Sequence, residues 1–550
     1  MNIASRLSQN AKTFPDKRAV VFPRLHKRSG KYEYSSLTFK ELEILSNKFA
    51  FQLSTLGLKK GDKTLLFLRP NLDFTAMAFA LFKLGVIPVF IDPGMGKKNL
   101  LNCIKEADPV ALIAEKELHL LKLLHPRIFK SVRMNVTNGS LLFGKMISIK
   151  KMKKEKVQSF TPTQIDPEDT AAILFTSGGT GKPKGVIYTH RIFDQQTTML
   201  QNLYQLTSND IDMPGFPLFS LFTVAMGLTS CIPDMDPTKP GKCDPKKIVQ
   251  NIKDLNPTFV AGSPAIWERV ADYCILNNLT LPSIKYVVMF GAPVSVNLHR
   301  KFKSLLPHGT TYTPYGATEA LPVSNISGDY ILKNTAYLSD EGHGTCVGFP
   351  APNIEIKIIK ISDQVIPRFN KNIELPINQV GEIIIKGVVA TREYLNLPEK
   401  TCEAKIYESD RLDIFWHRMG DLGFIDESNR LWFCGRKSHM VQTSEQCLYP
   451  VPIEAIFNNH PEVRRSALVG LGVAGKQIPA IVIERKDGHF LSGKRRSIFE
   501  SELLVIAKKH VQAKEIQKFY LSKEFPVDVR HNIKIDRLKL KAEIENNENI

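Results

Sequence analysis

Residues 171–189 read AAILFTSGGTGKPKGVIYT, and this stretch decides how the rest of the chain is interpreted. Its first five residues are apolar and predict a buried strand, and GVIYT at its end predicts a second strand. Residues 176–185, TSGGTGKPKG, contain four glycines, three hydroxyl side chains and two lysines. Backbone N–H groups, hydroxyl donors and cations together suit a polyphosphate. Composition alone leaves open a phosphate-binding loop and an ordinary glycine-rich surface hairpin.

Strands and helices alternate after this loop. The segment from Pro245 to Leu255 predicts a helix, because Asp244 is a suitable N-cap, proline suits the first helical position and the apolar residues form one stripe. Short apolar runs that predict strands begin at residues 258, 286 and 310. This alternation is typical of an α/β architecture with largely parallel, buried sheets.

The pattern changes in the last third of the chain. Short strands such as IEIKII at 354–359 and GEIIIKG at 381–387 predict an antiparallel, barrel-like region from Gly344 onward. The residues after Arg436 have their own strand and helix pattern and are numerous enough for a separate domain. Within them, GLGVAG at 470–475 matches GxGxxG. A dinucleotide site needs a helix next, whereas the following residues predict a strand, so a hairpin turn is the better interpretation.

Composition limits the class of protein. The 550 residues are 43% hydrophobic and 23% charged, which excludes a disordered or fibrous protein. The N-terminus has no apolar run typical of a signal peptide, and no apolar stretch is long and uninterrupted enough to predict a membrane span. The eight cysteines are too scattered for a disulfide framework or a zinc cluster. We therefore expect a cytoplasmic protein with reduced thiols.

The charge balance favours acidic partners. There are 74 Lys and Arg against 55 Asp and Glu, a formal net charge of +19. Nucleotides, carboxylates, anionic lipid and nucleic acid all fit such a charge. The basic run KKMKKEK at 150–156 has no interleaved aromatic residues, so a solvated surface segment is favoured over a nucleic-acid patch. We expect small-molecule partners and no nucleic acid, and contact with a membrane surface stays open.

Several motifs resemble those of the adenylate-forming superfamily, which includes acyl-CoA synthetases, peptide-synthetase adenylation domains and luciferases. ILFTSGGTGKPKGV at 173–186 resembles its phosphate loop, [ST]SG[ST]TGxPKG, except that Gly179 replaces a hydroxyl residue. The later motifs follow in the expected order: GAP at 291–293, YGATE at 315–319, HRMGD at 417–421, GRK at 435–437 and NIKIDR at 532–537. Each motif alone is weak evidence for the resemblance, but chance does not explain the occurrence of all of them in the expected order.

The resemblance implies ATP and Mg²⁺ as cofactors and a role for each motif. The residues expected to bind ATP or AMP are Thr176, Ser177, Gly178, Gly179, Thr180, Gly181, Lys184, Gly291, Ala292, Pro293, Tyr315, Gly316, Ala317, Asp421 and Arg436. Lys534, Thr318 and Glu319 are expected to be catalytic, with Glu319 as the Mg²⁺ ligand. Lys437 is expected to be the hinge between two domains.

The same resemblance implies an α/β fold with a β-barrel part. A large N-terminal domain of stacked mixed sheets with helices, residues 1–435, would bind ATP and the acyl group. A small mobile α+β domain, residues 436–550, would carry the adenylation lysine.

Other strings look most like the olefin β-lactone synthetases of long-chain hydrocarbon biosynthesis. These strings are PGFPLFSLF at 214–222, IPDMDPTKP at 232–240 and FPVDVRHNIKIDR at 525–537. The resemblance implies that a long 2-alkyl-3-hydroxy acid is activated as its adenylate, and that its own 3-hydroxyl then closes a β-lactone and expels AMP. Phe216, Phe219 and Phe222 would suit the alkyl chain, although core packing is the commoner role of any one aromatic residue. Association with other hydrocarbon-biosynthesis enzymes stays open.

Alternatives to lactone formation are a long-chain fatty acyl-CoA ligase and a fatty acyl-AMP ligase. Acyl-CoA synthetases usually carry a glycine soon after the hinge, whereas residues 440–446 read MVQTSEQ, with an acid and no glycine. A narrow loop with a negative charge would oppose the binding of a phosphorylated thiol. A basic nucleic-acid-binding protein is a third hypothesis, and it leaves the ordered motifs unexplained. His190 and His531 are candidate bases for lactone closure by residue type, but a structural role is favoured for both.

Overall fold

The fold is described from a computed structural model for residues 2–26, 28–139, 146–155, 160–176, 182–410, 412–527 and 535–546. Some residues singled out above lie outside these ranges: Ser177, Gly178, Gly179, Thr180 and Gly181 of the glycine-rich loop, and His531 and Lys534.

Two seven-stranded sheets form the first part of the chain. Sheet I contains β1 (Arg18–Leu25), β2 (Tyr32–Thr38), β10 (Ile211–Pro214), β11 (Thr229–Cys231), β12 (Phe259–Gly262), β13 (Tyr286–Met289) and β14 (Thr310–Tyr312), in the order β14-β13-β12-β10-β11-β1-β2. Sheet II contains β3 (Lys63–Phe67), β4 (Ile87–Ile91), β5 (Ala111–Ala114), β6 (Met134–Thr137), β7 (Ile147–Ser148), β8 (Thr170–Thr176) and β9 (Lys184–Thr189), in the order β7-β6-β5-β3-β4-β8-β9. The β1–β2 and β8–β9 pairs are antiparallel and the other pairs are parallel, as predicted.

Helices cover both faces of both sheets. They are α1 (Ala4–Thr13), α2 (Phe39–Thr55), α3 (Leu72–Leu84), α4 (Lys97–Ala107), α5 (Lys116–Leu124), α6 (Ile149–Lys154), α7 (His190–Leu203), α8 (Phe219–Ala225), α9 (Pro245–Leu255), α10 (Pro264–Leu276) and α11 (Val296–Leu305). The predicted helix after Asp244 is α9, and the Asp244 side chain accepts a hydrogen bond from the backbone N–H of Lys246.

The main core lies between the two sheets. One cluster of buried residues joins strands of both sheets to α1, α2, α3, α7 and α8. A second cluster packs α9, α10 and α11 on the other face of sheet I, and a third packs α4 and α5 on the other face of sheet II. The sheets therefore stack with helices between and around them.

Residues 150–154 of the basic run, which was expected to be a solvated surface segment, belong to a helix that packs on the protein. Ile149 and Met152 of α6 are buried, and the Met152 carbonyl accepts a hydrogen bond from Gln52 of α2. The two apolar side chains anchor the helix, while the lysines between them remain on its outer side. The number of charged residues in the run does not reveal the spacing of these two apolar residues.

The next part of the chain is antiparallel. Its strands are β15 (Tyr315–Ala317), β16 (Ala320–Asn325), β17 (Thr345–Pro350), β18 (Ile354–Ile359), β19 (Gly381–Gly387), β20 (Lys405–Tyr407), β21 (Phe415–Ile425) and β22 (Leu431–Arg436), with helices α12 (Gly328–Tyr330), α13 (Ala336–Asp340) and α14 (Pro398–Ala404). The sheet order is β15-β16-β17-β22-β21-β19-β18, and β20 pairs with β21. Strands β15 and β18 thus stand at opposite ends of the ladder.

The last part of the chain has a three-stranded sheet. Its elements are β23 (Val441–Gln442), β24 (Cys447–Leu448), α15 (Pro450–Asn458), β25 (Val463–Leu471), β26 (Ile478–Arg485), α16 (Gly493–Lys509), β27 (Lys518–Ser522) and α17 (Arg537–Glu545). Strands β25 and β26 form an antiparallel hairpin, which confirms that the GxGxxG match is a turn. Two buried clusters draw only on residues between 441 and 544. Across the described ranges, no helix has the length and apolar character needed to span a bilayer.

Candidate active site

One cavity of about 3000 Å³ lies at the carboxyl ends of the parallel strands of sheets I and II. Loops that follow parallel strands meet at one edge of a sheet, which is where α/β proteins place ligands. The antiparallel region and the residues after 436 also contribute to its wall. Every site residue predicted from the sequence within the described ranges lines this cavity: Thr176, Lys184, Phe216, Phe219, Phe222, Gly291, Ala292, Pro293, Tyr315, Gly316, Ala317, Thr318, Glu319, Asp421, Arg436 and Lys437.

Glu319 is held in place by a tyrosine that the sequence did not single out. The Tyr394 hydroxyl donates a hydrogen bond to Glu319 Oε1 at 2.8 Å, and Lys184 Nζ lies 4.7 Å from the centre of the Tyr394 ring. Burial and the nearby Glu319 carboxylate raise the pKa of Tyr394, so the hydroxyl remains a donor. The contact arises because Tyr394 forms an isolated β-bridge with Val186 of β9. A single sequence carries no signal for this pairing.

The turn between β15 and β16 presents Thr318 and Glu319 to the cavity. The Tyr188 hydroxyl donates to the Thr318 carbonyl, and the backbone N–H of Thr391 donates to the Glu319 carbonyl at 2.8 Å. A Cβ atom on Gly316 would lie 2.6 Å from the Ala320 carbonyl oxygen, so the tight turn requires glycine there.

Asp421 joins three of the predicted motifs. Its Oδ2 accepts a hydrogen bond from the Tyr315 hydroxyl at 2.7 Å, and its Oδ1 lies 3.0 Å from Arg436 Nη1. The attraction of Asp421 raises the pKa of Arg436, and burial raises the pKa of Tyr315. Asp421 and Arg436 are paired residues on β21 and β22, so the sheet itself brings the two motifs together.

Lys437 follows β22 and is anchored to the loop after β18. Its Nζ lies 3.0 Å from Asp363 Oδ1 and 3.6 Å from Glu382 Oε2, and it donates to the Ser362 carbonyl. Glu382 also receives two hydrogen bonds from Arg418, at 2.9 and 2.6 Å. The lysine expected to be a hinge therefore has three oxygen partners in this arrangement.

The three phenylalanines proposed for the alkyl chain form one aromatic group. Ring centroids of Phe216 and Phe219 are 5.8 Å apart, those of Phe219 and Phe222 are 5.9 Å apart, and Phe290 lies 4.8 Å from Phe219. All three are half-buried and line the cavity, and Phe222 also packs against two buried clusters.

A buried lysine lies beside the site. Lys405 Nζ donates to the Thr391 carbonyl and to His417 Nδ1, the latter at 3.0 Å. Burial lowers the pKa of Lys405 to about 7, although the Glu319 carboxylate acts in the opposite direction. Burial and the neighbouring Lys405 lower the pKa of His417 well below its usual value. The sequence showed His417 only as part of a motif and gave no sign of Lys405.

This environment predicts a specific pH dependence of stability. The folded pKa of Lys405, about 7, lies below the ordinary value of 10.5, so between these limits the unfolded chain binds more protons. Stability should therefore rise with pH across that window, by at most about 1.4 kcal/mol per pH unit. We expect the free energy of unfolding of the natural protein to rise relative to that of Lys405→Met between about pH 7 and about pH 9. Urea denaturation at both pH values measures this, and a constant difference would contradict it.

His190 has the structural role favoured from its sequence context. Its ring is buried, its Nδ1 accepts the backbone N–H of Ile3 at 3.3 Å, and it packs edge-on against Phe82. It does not line the cavity.

The residues at Glu319 fit a magnesium ion that arrives with a nucleotide. Within the described ranges, no group of three or more His, Cys, Asp or Glu side chains could hold a metal by itself. Mg²⁺ commonly takes one or two protein carboxylates, with phosphates and water as its other ligands. A single carboxylate in a large cavity matches that arrangement.

Comparison with known proteins gives the family of the chain. Residues 7–395 match the family of AMP-binding enzymes. The chain is 39% identical over 545 residues to an olefin β-lactone synthetase of Xanthomonas campestris pv. campestris, covering 98% of this chain and 96% of the relative. It is 38% identical over 551 residues to an olefin β-lactone synthetase of Stenotrophomonas maltophilia, covering 98% and 97%.

A solved structure confirms the predicted fold class. O-succinylbenzoate coenzyme A synthetase of Bacillus subtilis, in complex with ATP and magnesium ion, superposes with a TM-score of 0.74 at 20% sequence identity, covering 98% of this chain and 99% of that one. The chain thus belongs to the AMP-binding enzyme family, and it is an adenylate-forming ligase.

Proposed function

We propose that this enzyme activates a long-chain 2-alkyl-3-hydroxy acid with ATP and closes it to a β-lactone, releasing pyrophosphate and then AMP. The observation that carries the proposal is the single cavity in which the nucleotide motifs and a group of phenylalanines meet. The similarity to two proteins named olefin β-lactone synthetase supports this substrate class.

In the first step, a carboxylate oxygen of the acid attacks the α-phosphorus of ATP and pyrophosphate leaves. Two anions must approach each other, so positive charge near the α-phosphate lowers the barrier. Lys184 and Lys534 would supply it, and Thr318 would meet the phosphate or the acyl carboxylate. Glu319, held by Tyr394, would hold Mg²⁺, which when bound neutralises phosphate charge. Asp421 and Arg436 would position the ribose.

In the second step, the 3-hydroxyl oxygen attacks the acyl carbonyl carbon, AMP leaves and the hydroxyl proton passes to a base or to water. The nucleophile belongs to the same molecule as the electrophile, so proximity does not require a second substrate. The product is a four-membered lactone.

The loop after the hinge supports an intramolecular acceptor over coenzyme A. Residues 441–448 form a small hairpin, in which the backbone N–H of Gln442 donates to the Gln477 side chain at 2.8 Å. Gln446 donates to Glu515 at 2.7 Å, and Glu445 is exposed on the same turn. The hairpin is tied on both sides and carries one acid, Glu445, where a phosphorylated thiol would need space and positive charge.

Residues 436–550 would act as a mobile lid on residues 1–435, turning at Lys437. In this proposal the lid delivers Lys534 to the cavity for adenylation.

The experiment that tests the function uses the full chain with ATP, Mg²⁺ and a long-chain 2-alkyl-3-hydroxy acid, with and without coenzyme A. We expect AMP and pyrophosphate without coenzyme A, and a product lighter than the acid by one water in mass spectrometry. The matched acid without the 3-hydroxyl should be converted to its adenylate and react no further. AMP release that strictly requires coenzyme A would identify an acyl-CoA ligase, and accumulation of the adenylate from both acids would identify an acyl-AMP ligase.

A further inference from the structure

Two groups of apolar residues among those that line the cavity are here named the near arm and the far arm. The near arm lies beside the nucleotide motifs and is lined by Leu200, Phe216, Phe219 and Phe290. The far arm is lined by Phe22, Leu66, Leu68, Phe74, Phe90 and Ile232. None of the far-arm residues belongs to a sequence motif discussed above.

The strand order of sheet I separates the two arms. Phe290 directly follows β13 and Phe22 lies on β1, with β12, β10 and β11 between them. Four strand spacings of about 4.8 Å place these two positions about 19 Å apart. The middle strand, β10, leads into α8, which contacts β10, β11 and β1.

Phe222 of α8 contacts both groups of buried residues that flank these arms. It packs against the cluster of Leu228, Phe259 and Val288, which Leu200 and Phe290 also contact on the near side. It also packs against the large inter-sheet cluster that contains the far-arm residues. Its ring is 5.9 Å from Phe219 on one side and 5.5 Å from Phe193 on the other.

The walls of the far arm face each other across the space between the two sheets. Leu66 lies on β3 and Leu68 directly follows that strand, and both join the inter-sheet cluster with Phe90 of β4. Leu65 and Val89, one position away, point to the opposite face of sheet II. Phe22 closes the arm from sheet I.

The six side chains named for the far arm are apolar. Leu66, Phe74 and Phe90 are each less than a tenth exposed, although they line the cavity. Arg69 is exposed, and its backbone N–H donates to Glu115 Oε1 at 3.1 Å. Such a chamber suits a hydrocarbon chain and not a charged or hydrogen-bonding group.

We propose that the far arm is the binding site for a second alkyl chain, so that the substrate places one chain in each arm. This inference rests on the proposed function, because it needs a carboxyl group held at the nucleotide motifs. A straight-chain acid held there can occupy one arm only. A 2-alkyl acid branches at the carbon next to the carboxyl group and can fill both arms around Phe222.

The test compares two acids with two matched variants. Leu68→Trp fills the far arm and Leu200→Trp fills the near arm. The acids are a long-chain 3-hydroxy acid with and without an alkyl chain at carbon 2. We expect Leu68→Trp to lower kcat/KM for the 2-alkyl acid by about tenfold or more, since each buried methylene contributes roughly fourfold. The loss on the unbranched acid should be less than about twofold. Leu200→Trp should impair both acids.

A chain-length series with the natural protein is a second readout that needs no variant. Lengthening the carbon-2 chain should raise kcat/KM by roughly fourfold per methylene until the arm is full. Phe74→Leu, which enlarges the arm, should move that limit to a longer chain. A rate independent of carbon-2 chain length, or equal losses on both acids in Leu68→Trp, would overturn the inference. Absence of pyrophosphate release with every acid would instead reject the proposed function.

Discussion

Replacement of Lys534 by alanine is expected to slow pyrophosphate release by about 10²–10³-fold, the usual cost of one preorganised group at a developing charge. Lys534 lies outside the described residues, but the next residue, Ile535, forms a β-bridge with Val527, and both line the cavity. Arg537 donates to both Glu454 carboxylate oxygens at 2.7 Å, which ties the start of α17 to α15. In the proposed mechanism, the positive charge of Lys534 acts on the α-phosphate.

The measurement is ATP–pyrophosphate exchange in the presence of a long-chain hydroxy acid. Lys539→Ala is the matched control, because it removes one positive charge from the same segment at an exposed position. Thermal unfolding should be unchanged in both variants. Full exchange activity in Lys534→Ala would remove this residue from the mechanism.

Replacement of Glu319 by glutamine should lower the rate of pyrophosphate release by about 10²-fold and raise the Mg²⁺ concentration needed for half-maximal rate. The change keeps the shape of the side chain and its acceptor oxygen for Tyr394, but removes the negative charge that would hold the cation. Tyr394→Phe keeps the charge and loses only the 2.8 Å hydrogen bond, so its effect should be smaller.

Glu403→Gln is the control for the loss of negative charge. Glu403 also lines the cavity, and its carboxylate is paired with Lys400 at 2.7 Å. The Mg²⁺ dependence of the rate in Glu403→Gln should match that of the natural protein. An unchanged Mg²⁺ dependence in Glu319→Gln would show that the cation is held elsewhere.

Local sequence signals predicted the elements and the motifs. The α9 helix begins where Asp244 and Pro245 place it, since capping and proline geometry involve only neighbouring residues. The turn at 470–475 follows from the strand pattern on its two sides. Phe216, Phe219 and Phe222 do line the cavity, although their spacing alone could not distinguish a cavity wall from a core.

Contacts between distant residues were beyond prediction from the sequence. Tyr394 meets Glu319 across 75 positions, and Tyr315 meets Asp421 across 106. The Lys405–His417 pair depends on β20 lying beside β21. Each contact depends on strand pairing and on which side of a strand a residue faces, and neither quantity can be read from the residue types of one chain.

By itself, the sequence determined the α/β class, the order of the nucleotide motifs and the resemblance to adenylate-forming enzymes, because these depend on local periodicity and on residue type. The tertiary structure alone decided that apolar residues of both sheets line the cavity of the nucleotide motifs and that Glu319 has a tyrosine partner. The reason is geometric: the order of strands in the two sheets brings residues far apart in the chain to one edge, where burial and hydrogen bonding give them their chemistry.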